Sequence, residues 1–145
     1  MVSKKDKAIQ LFRSGFNCSQ SVLGAFSEDM QLNDKIAEGI SCAFGGGMGR
    51  LQQTCGAVTG AYMVLGLYNA GIFSNNRERK EAVYSMVQAF SGRFNALHGT
   101  TDCRLLLGCD MQSEEGREYI KSNNLYETIC EKCVADAVEI LEELI

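Results

Sequence analysis

The chain is expected to be an all-α protein, a single-domain bundle of about six to eight helices over residues 1–145. Three observations lead there. Apolar residues recur every three or four positions along several stretches, strand-like alternation is nearly absent, and proline, the strongest helix breaker, does not occur.

The longest element is the most legible. Val83, Val87, Phe90, Phe94 and Leu97 lay one apolar stripe along a helix over residues 75–98. Ala8, Ile9 and Phe12 begin the same pattern near the start, and Val134, Ala137, Val138, Leu141 and Leu144 repeat it at the end. Between them fall a helix over residues 18–30, another over 34–44, a helix of small residues beginning at Cys55, and shorter helices near Cys103 and Gly116. Gly15, Gly71, Gly99 and Gly108 stand where helices should stop. No repeat, low-complexity tract or linker divides the chain into domains.

Composition narrows the function classes. Hydrophobic residues are 46% and charged residues 22% of 145, the balance of a soluble globular protein. A formal net charge of -4 gives no electrostatic reason to expect a nucleic-acid partner. Lys4, Lys5 and Lys7 lead into an amphipathic stretch rather than an apolar one, so a secretory signal is not expected and a cytoplasmic location is. The weakly polar run 55–68 is too short to span a bilayer, and no membrane insertion is expected. Seven cysteines exceed what packing requires, and in a reducing compartment such an excess points to metal binding or redox chemistry.

Four of the seven share a local feature. Asn17 precedes Cys18, Thr54 precedes Cys55, and Thr101 and Asp102 precede Cys103. Each of these neighbours can cap a helix, so each sulfur is expected in a first turn. Thr128 and Glu131 have the spacing of a capping box, which puts Cys130 in a first turn as well. The free N–H groups and positive dipole end of a helix start favour thiolate over thiol. Thiolate is both the nucleophile of disulfide exchange and the ligand of iron and zinc, so four converging helix starts would serve either purpose. Cys130 ranks above Cys133 because Cys133 falls further from the apolar stripe of the last helix. Cys42, Cys109 and Cys133 read as buried small hydrophobes, with Cys133 the substitute should Cys130 not serve.

The glycines admit two readings. Gly56 and Gly60 form a small-xxx-small ridge that lets another backbone come close. The segment "GGGMG" at residues 45–49 is either a flexible connection or a nest whose amides face an anion, with Gly45, Gly46, Gly47 and Gly56 the candidate cofactor contacts. It lacks the strand and the "GK[ST]" ending of a P-loop, which argues against nucleotide binding. The single histidine, His98, stands before Gly99 and reads as a structural helix end. The "CEKC" pair at Cys130 and Cys133 lacks the βαβ setting of a thioredoxin-like dithiol.

Taken together, "GFNCSQSV", "FGGGM", "TCGAVTGA", "CRLLLG" and "CEKCVADAVEIL" resemble the C_GCAxxG_C_C family of redox-active proteins over almost the whole chain. The resemblance implies a small, mostly helical protein with redox activity, and an iron–sulfur cluster where related domains occur in larger electron-transfer proteins. It carries the family's four recurrent cysteines onto Cys18, Cys55, Cys103 and Cys130.

Two mechanisms use these residues. In the first, Cys18, Cys55, Cys103 and Cys130 ligate an iron–sulfur cluster. In the second, Cys55 attacks a disulfide and Cys18 or Cys103 resolves it, with Cys130 the remaining site thiol. The cluster is slightly favoured, since ligands dispersed over four helices suit a cofactor. A structural zinc site and a helical partner-binding module are the further alternatives. Expected partners are a redox protein of unknown identity and, through exposed amphipathic helices, a second copy of the chain.

Overall fold

The computed structural model describes residues 2–145, and among them the fold is helical throughout. Eight helices follow in order: α1 Lys4–Arg13, α2 Cys18–Phe26, α3 Asp34–Cys42, α4 Gly56–Ala70, α5 Asn76–His98, α6 Cys103–Leu107, α7 Glu114–Ser122 and α8 Glu131–Leu144. A glycine turn, Gly45–Met48, joins α3 to α4, and a π turn, Tyr126–Cys130, runs into α8.

Most starts are set by side-chain caps. Ser3, Asn17, Asn33, Asn75, Asp102 and Ser113 each accept a backbone N–H of the turn that follows. At α2 the cap is reciprocal: Asn17 accepts from the Gln20 amide while Gln20 accepts from the Asn17 amide. Gly99 and Gly108 end α5 and α6 in the left-handed conformation, as their placement in the sequence suggests.

Helix α4 is the centre of the bundle. It packs against α2, α5 and α8, and Gly56, Ala57, Val58, Thr59, Gly60, Ala61, Val64 and Leu65 along it are all buried. The small-xxx-small ridge works as the sequence suggests. A Cβ on Gly60 would stand 2.8 Å from the Ser19 carbonyl oxygen, and one on Gly56 3.1 Å from the Ser19 amide nitrogen, so α2 lies directly on the glycines. Around them Val22, Phe26, Phe90, Phe94, Val134, Val138 and Leu141 close the core at 1% exposure or less.

Ion pairs tie the outer layer. Lys5 reaches Glu139 at 2.7 Å and Arg93 reaches Glu143 at 2.9 Å, joining α1 and α5 to α8. Such exposed pairs contribute about 0.2–1 kcal/mol each, against roughly 3–5 kcal/mol for truncating a buried phenylalanine, so apolar packing fixes the arrangement. No helix among the described residues is long and apolar enough to cross a membrane.

Two helix starts differ from expectation. Cys55 is not in a first turn behind a Thr54 cap; it is itself the N-cap of α4, with φ -51° and ψ 136°. Thr54 is drawn into an antiparallel bridge with Asp102, in which the Cys55 amide donates to Thr101 O at 2.8 Å and the Cys103 amide to Gln53 O at 2.7 Å. Cys130 does not begin a helix either. Thr128 turns its hydroxyl back to the Asn124 carbonyl at 3.1 Å instead of capping, and the chain passes through the π turn directly into α8.

Candidate functional site

Six of the seven cysteines line one cavity of about 650 Å³, at the end of the bundle where α2, α4, α6, α8 and the glycine turn meet. Cys18 reaches it from the first residue of α2, Cys55 from the N-cap of α4, and Cys103 from the first residue of α6. Cys130 comes from the end of the π turn and Cys133 from the first turn of α8. Cys42 also lines it but is exposed, and Cys109 lies elsewhere, its thiol 3.7 Å from the Gly116 carbonyl.

The backbone bridge between residues 54 and 102 is what sets Cys55 beside Cys103, because it ties the starts of α4 and α6 together. The glycine turn forms the next wall. Gly46, Gly47, Met48, Gly49 and Arg50 all have φ between 60° and 70°, an unbroken left-handed run. It is held by hydrogen bonds from the Gly49, Gln52 and Gln53 amides to the carbonyls of Gly45, Gly46 and Gly47. The run is therefore an ordered wall rather than a flexible connection. L-residues resist this conformation by roughly 1–2 kcal/mol each, so Met48 and Arg50 are held there by their surroundings.

The thiols that share the cavity are unequal in character. The Cys55 thiol is shifted below its ordinary value of 9.0, first by hydrogen bonding with Cys133 and then by the Ala57 and Val58 amides at the start of α4, which outweigh burial. Cys133 moves the opposite way: its hydrogen bond to Cys55 and its burial hold it as a thiol. Cys18 is likewise raised, by its hydrogen bond to Cys130 and by burial. Cys103 is pushed up to about 12, first by burial and then by the charge of Cys55 and Cys130, against a hydrogen bond from Gln52. Among the shifted thiols Cys55 alone is moved towards the thiolate.

Behind Cys133 lies a polar chain. Its sulfur is 3.9 Å from Nδ1 of His98, whose Nε2 is 2.9 Å from Asp136 Oδ2. His98 and Asp136 side chains are 10% and 11% exposed, and Lys132 meets Asp136 at 3.2 Å. The imidazole stacks on Phe94 with centroids 4.5 Å apart, which fixes its plane. His98 does end α5 before Gly99, but its ring also faces the thiols.

Cys133, at 1% exposure, is more buried than the half-buried Cys130, reversing the order expected from the helical stripe. The buried face of α8 is wider than the counted stripe and takes in Cys133, Asp136 and Ile140, while Cys130 ends the π turn and leaves the helical register. The missed residues left one signal in the sequence. Asp136 is an acid inside the apolar stripe Val134, Ala137, Val138, and such a residue needs a buried partner.

Cys55 and Cys103 provide a controlled comparison, because they are equally hidden at 6% and 7% exposure. Alkylation of Cys55 by iodoacetamide is expected to rise with pH through a midpoint below 9.0, while that of Cys103 rises only towards about 12. Peptide mass spectrometry across pH 6 to 11 reads both, and a common midpoint would contradict the assignment.

The donor chemistry suits an iron–sulfur cluster, since many thiols share one cavity. Among the described residues no three Cys, His, Asp or Glu side chains are grouped so as to hold a metal ion.

No curated protein and no solved structure matches the chain. A family model described as "Putative redox-active protein (C_GCAxxG_C_C)" matches residues 16–144. With nearly its whole length matched, and with its spaced cysteines meeting at one cavity, the chain belongs to the C_GCAxxG_C_C redox-active family.

Proposed function

We propose that the protein is a thiol/disulfide oxidoreductase in which Cys55 is the attacking thiolate and Cys133 the resolving thiol. The observation that carries this reading is the chain Cys133, His98, Asp136 at the cavity that Cys55 also lines, with Cys133 the first cause that lowers Cys55. Cys55 attacks one sulfur of a substrate disulfide, forming a mixed disulfide and expelling the other half as a thiolate that takes a proton from solvent. Capping Cys55 removes the hydrogen bond and the negative charge with which Cys55 helped hold Cys133 protonated. The Cys133 proton then passes to His98 Nδ1, with Asp136 holding the imidazolium at Nε2. The Cys133 thiolate attacks the Cys55 sulfur, closes the Cys55–Cys133 disulfide and expels the second half of the substrate as a thiolate, which takes the proton from His98 and leaves as a thiol. Two electrons have moved from the dithiol to the substrate, and an external dithiol reductant restores the pair. Cys18 and Cys103, the resolving candidates from the sequence, are less suited: Cys18 is engaged with Cys130, and Cys103 stays a thiol up to about 12.

Iron–sulfur ligation by Cys18, Cys55, Cys103 and Cys130 is the second reading. One observation favours it, that these four thiols line a single cavity. It would have Cys18, Cys55, Cys103 and Cys130 hold the cluster as thiolates, and it uses neither His98 nor Asp136.

Anaerobic purification followed by a visible spectrum, iron, sulfide and zinc analysis and a thiol count separates the two. A colourless protein losing and regaining two thiols per chain on mild oxidation and reduction is expected. Broad visible absorption with stoichiometric iron and sulfide would favour the cluster instead.

A further inference from the structure

Nothing in the exchange chemistry says what kind of disulfide enters, but the wall of the cavity does. Its lining is mostly apolar, glycine or thiol, with Phe12, Phe16, Leu106 and Ile129 among the apolar members. Among the described residues it contains a single Arg, Lys, Asp, Glu or His side chain, that of Arg50. In a chain whose net charge is -4, one unopposed cation at the site selects for charge.

Arg50 is also built into place. Its backbone is left-handed at φ 66°, and its carbonyl accepts from Gln112 Nε2 at 2.8 Å. Its side-chain stem lies over Gly46, where an added Cβ would come within 3.0 Å of Arg50 Cγ, so the bare glycine is the bed on which the stem rests. Arg50 is an exposed residue, and it forms no ion pair among the described residues. Tyr126 lines the same cavity, and its phenol is raised first by burial and then by Cys130, against a lowering by Arg50.

We propose that the substrate is a low-molecular-weight disulfide bearing a carboxylate, held by Arg50 while its sulfur meets Cys55. The volume supports a small molecule, since about 650 Å³ is the size of a metabolite site. A guanidinium offers a carboxylate two parallel N–H donors, which fixes orientation as well as charge. The proposal rests on the exchange reading for its chemistry, and its test is arranged so that either can fail alone.

Binding is measured by calorimetry on the wild-type protein with redox-inert thioether analogues of three disulfides: 3,3′-thiodipropionate, 2,2′-thiodiethanol and bis(2-aminoethyl) sulfide. The dicarboxylate is expected to bind about tenfold tighter than the neutral diol, with the diamine weakest, as a charge-assisted pair requires. Arg50→Gln should remove that preference and Arg50→Lys keep part of it. Equal affinities for the three, or a preference that survives Arg50→Gln, would overturn the proposal. Turnover of the corresponding disulfides by the wild-type protein reports separately. Reduction with no charge preference leaves exchange standing and sinks the role of Arg50, whereas selective analogue binding without reduction does the reverse.

Discussion

Cys55→Ser is expected to lower disulfide turnover by roughly 10³-fold or more, the scale on which removal of a covalent nucleophile registers. The serine hydroxyl stays protonated near neutral pH, so the surroundings that stabilise a thiolate at this position have no anion to act on. Those surroundings are specific to residue 55: the facing Cys133 thiol and the Ala57 and Val58 amides at the start of α4. Cys103→Ser supplies the contrast. Cys103 is as buried as Cys55 but titrates at about 12, and its loss should cost far less turnover. Cys133→Ser should stop the reaction one step later, with the mixed disulfide on Cys55 trapped and visible as an added mass. Turnover followed by the absorbance of a released aromatic thiol, with intact mass on the same samples, reads all three variants. Equal losses from Cys55→Ser and Cys103→Ser would remove the distinction on which the mechanism depends.

Gly47→Ala has the largest expected effect on stability among the site residues. Gly47 is left-handed at φ 66°, which costs an L-residue about 1–2 kcal/mol. A Cβ there would also stand 2.7 Å from both Cys103 Cβ and Gln52 Cα, and overpacking of this kind costs typically about 1–3 kcal/mol. Together the two effects predict a loss of about 2–5 kcal/mol in urea unfolding, a large share of a domain's stability. The change should reach the chemistry as well, because backbone on one side and Cys103 on the other cannot both keep their places. Gly66→Ala is the control: a Cβ there meets nothing within 4 Å, and replacing glycine inside a helix should be neutral or stabilising. A Gly47→Ala protein as stable as the parent would show that the turn does not brace the cavity.

The helices were legible because their causes are local. The stripe Val83, Val87, Phe90, Phe94, Leu97 and the Asn75 cap lie within one segment, and α5 runs from Asn76 to His98 as they require. The same holds for the Asn17 and Asp102 caps that put Cys18 and Cys103 at first helical positions. What escaped is non-local. The bridge that makes Cys55 an N-cap depends on residues 101–103, almost fifty positions away, and no window of sequence around Thr54 contains it. The burial of Cys133 depends on how much of α8 the neighbouring helices cover, a face that takes in Cys133, Asp136 and Ile140 beyond the stripe counted in the sequence. The triad with His98 and Asp136 joins the end of α5 to the first turns of α8, so the histidine read alone gave only its role as a helix end. Arg50 was hidden differently: its left-handed backbone is one normally given to glycine, and only the fold shows a charged residue held there.

The central claim is that Cys55 and Cys133 are the exchanging pair. The most direct measurement is a redox titration of the intact protein with trapping of free thiols at each potential, followed by digestion and mass mapping of the linked peptides. The account predicts that the first bond to form joins the peptide containing Cys55 to the one containing Cys133, while Cys103 remains alkylatable as a free thiol after unfolding. A first bond from Cys55 to Cys18 or to Cys103, with Cys133 still reduced, would contradict it.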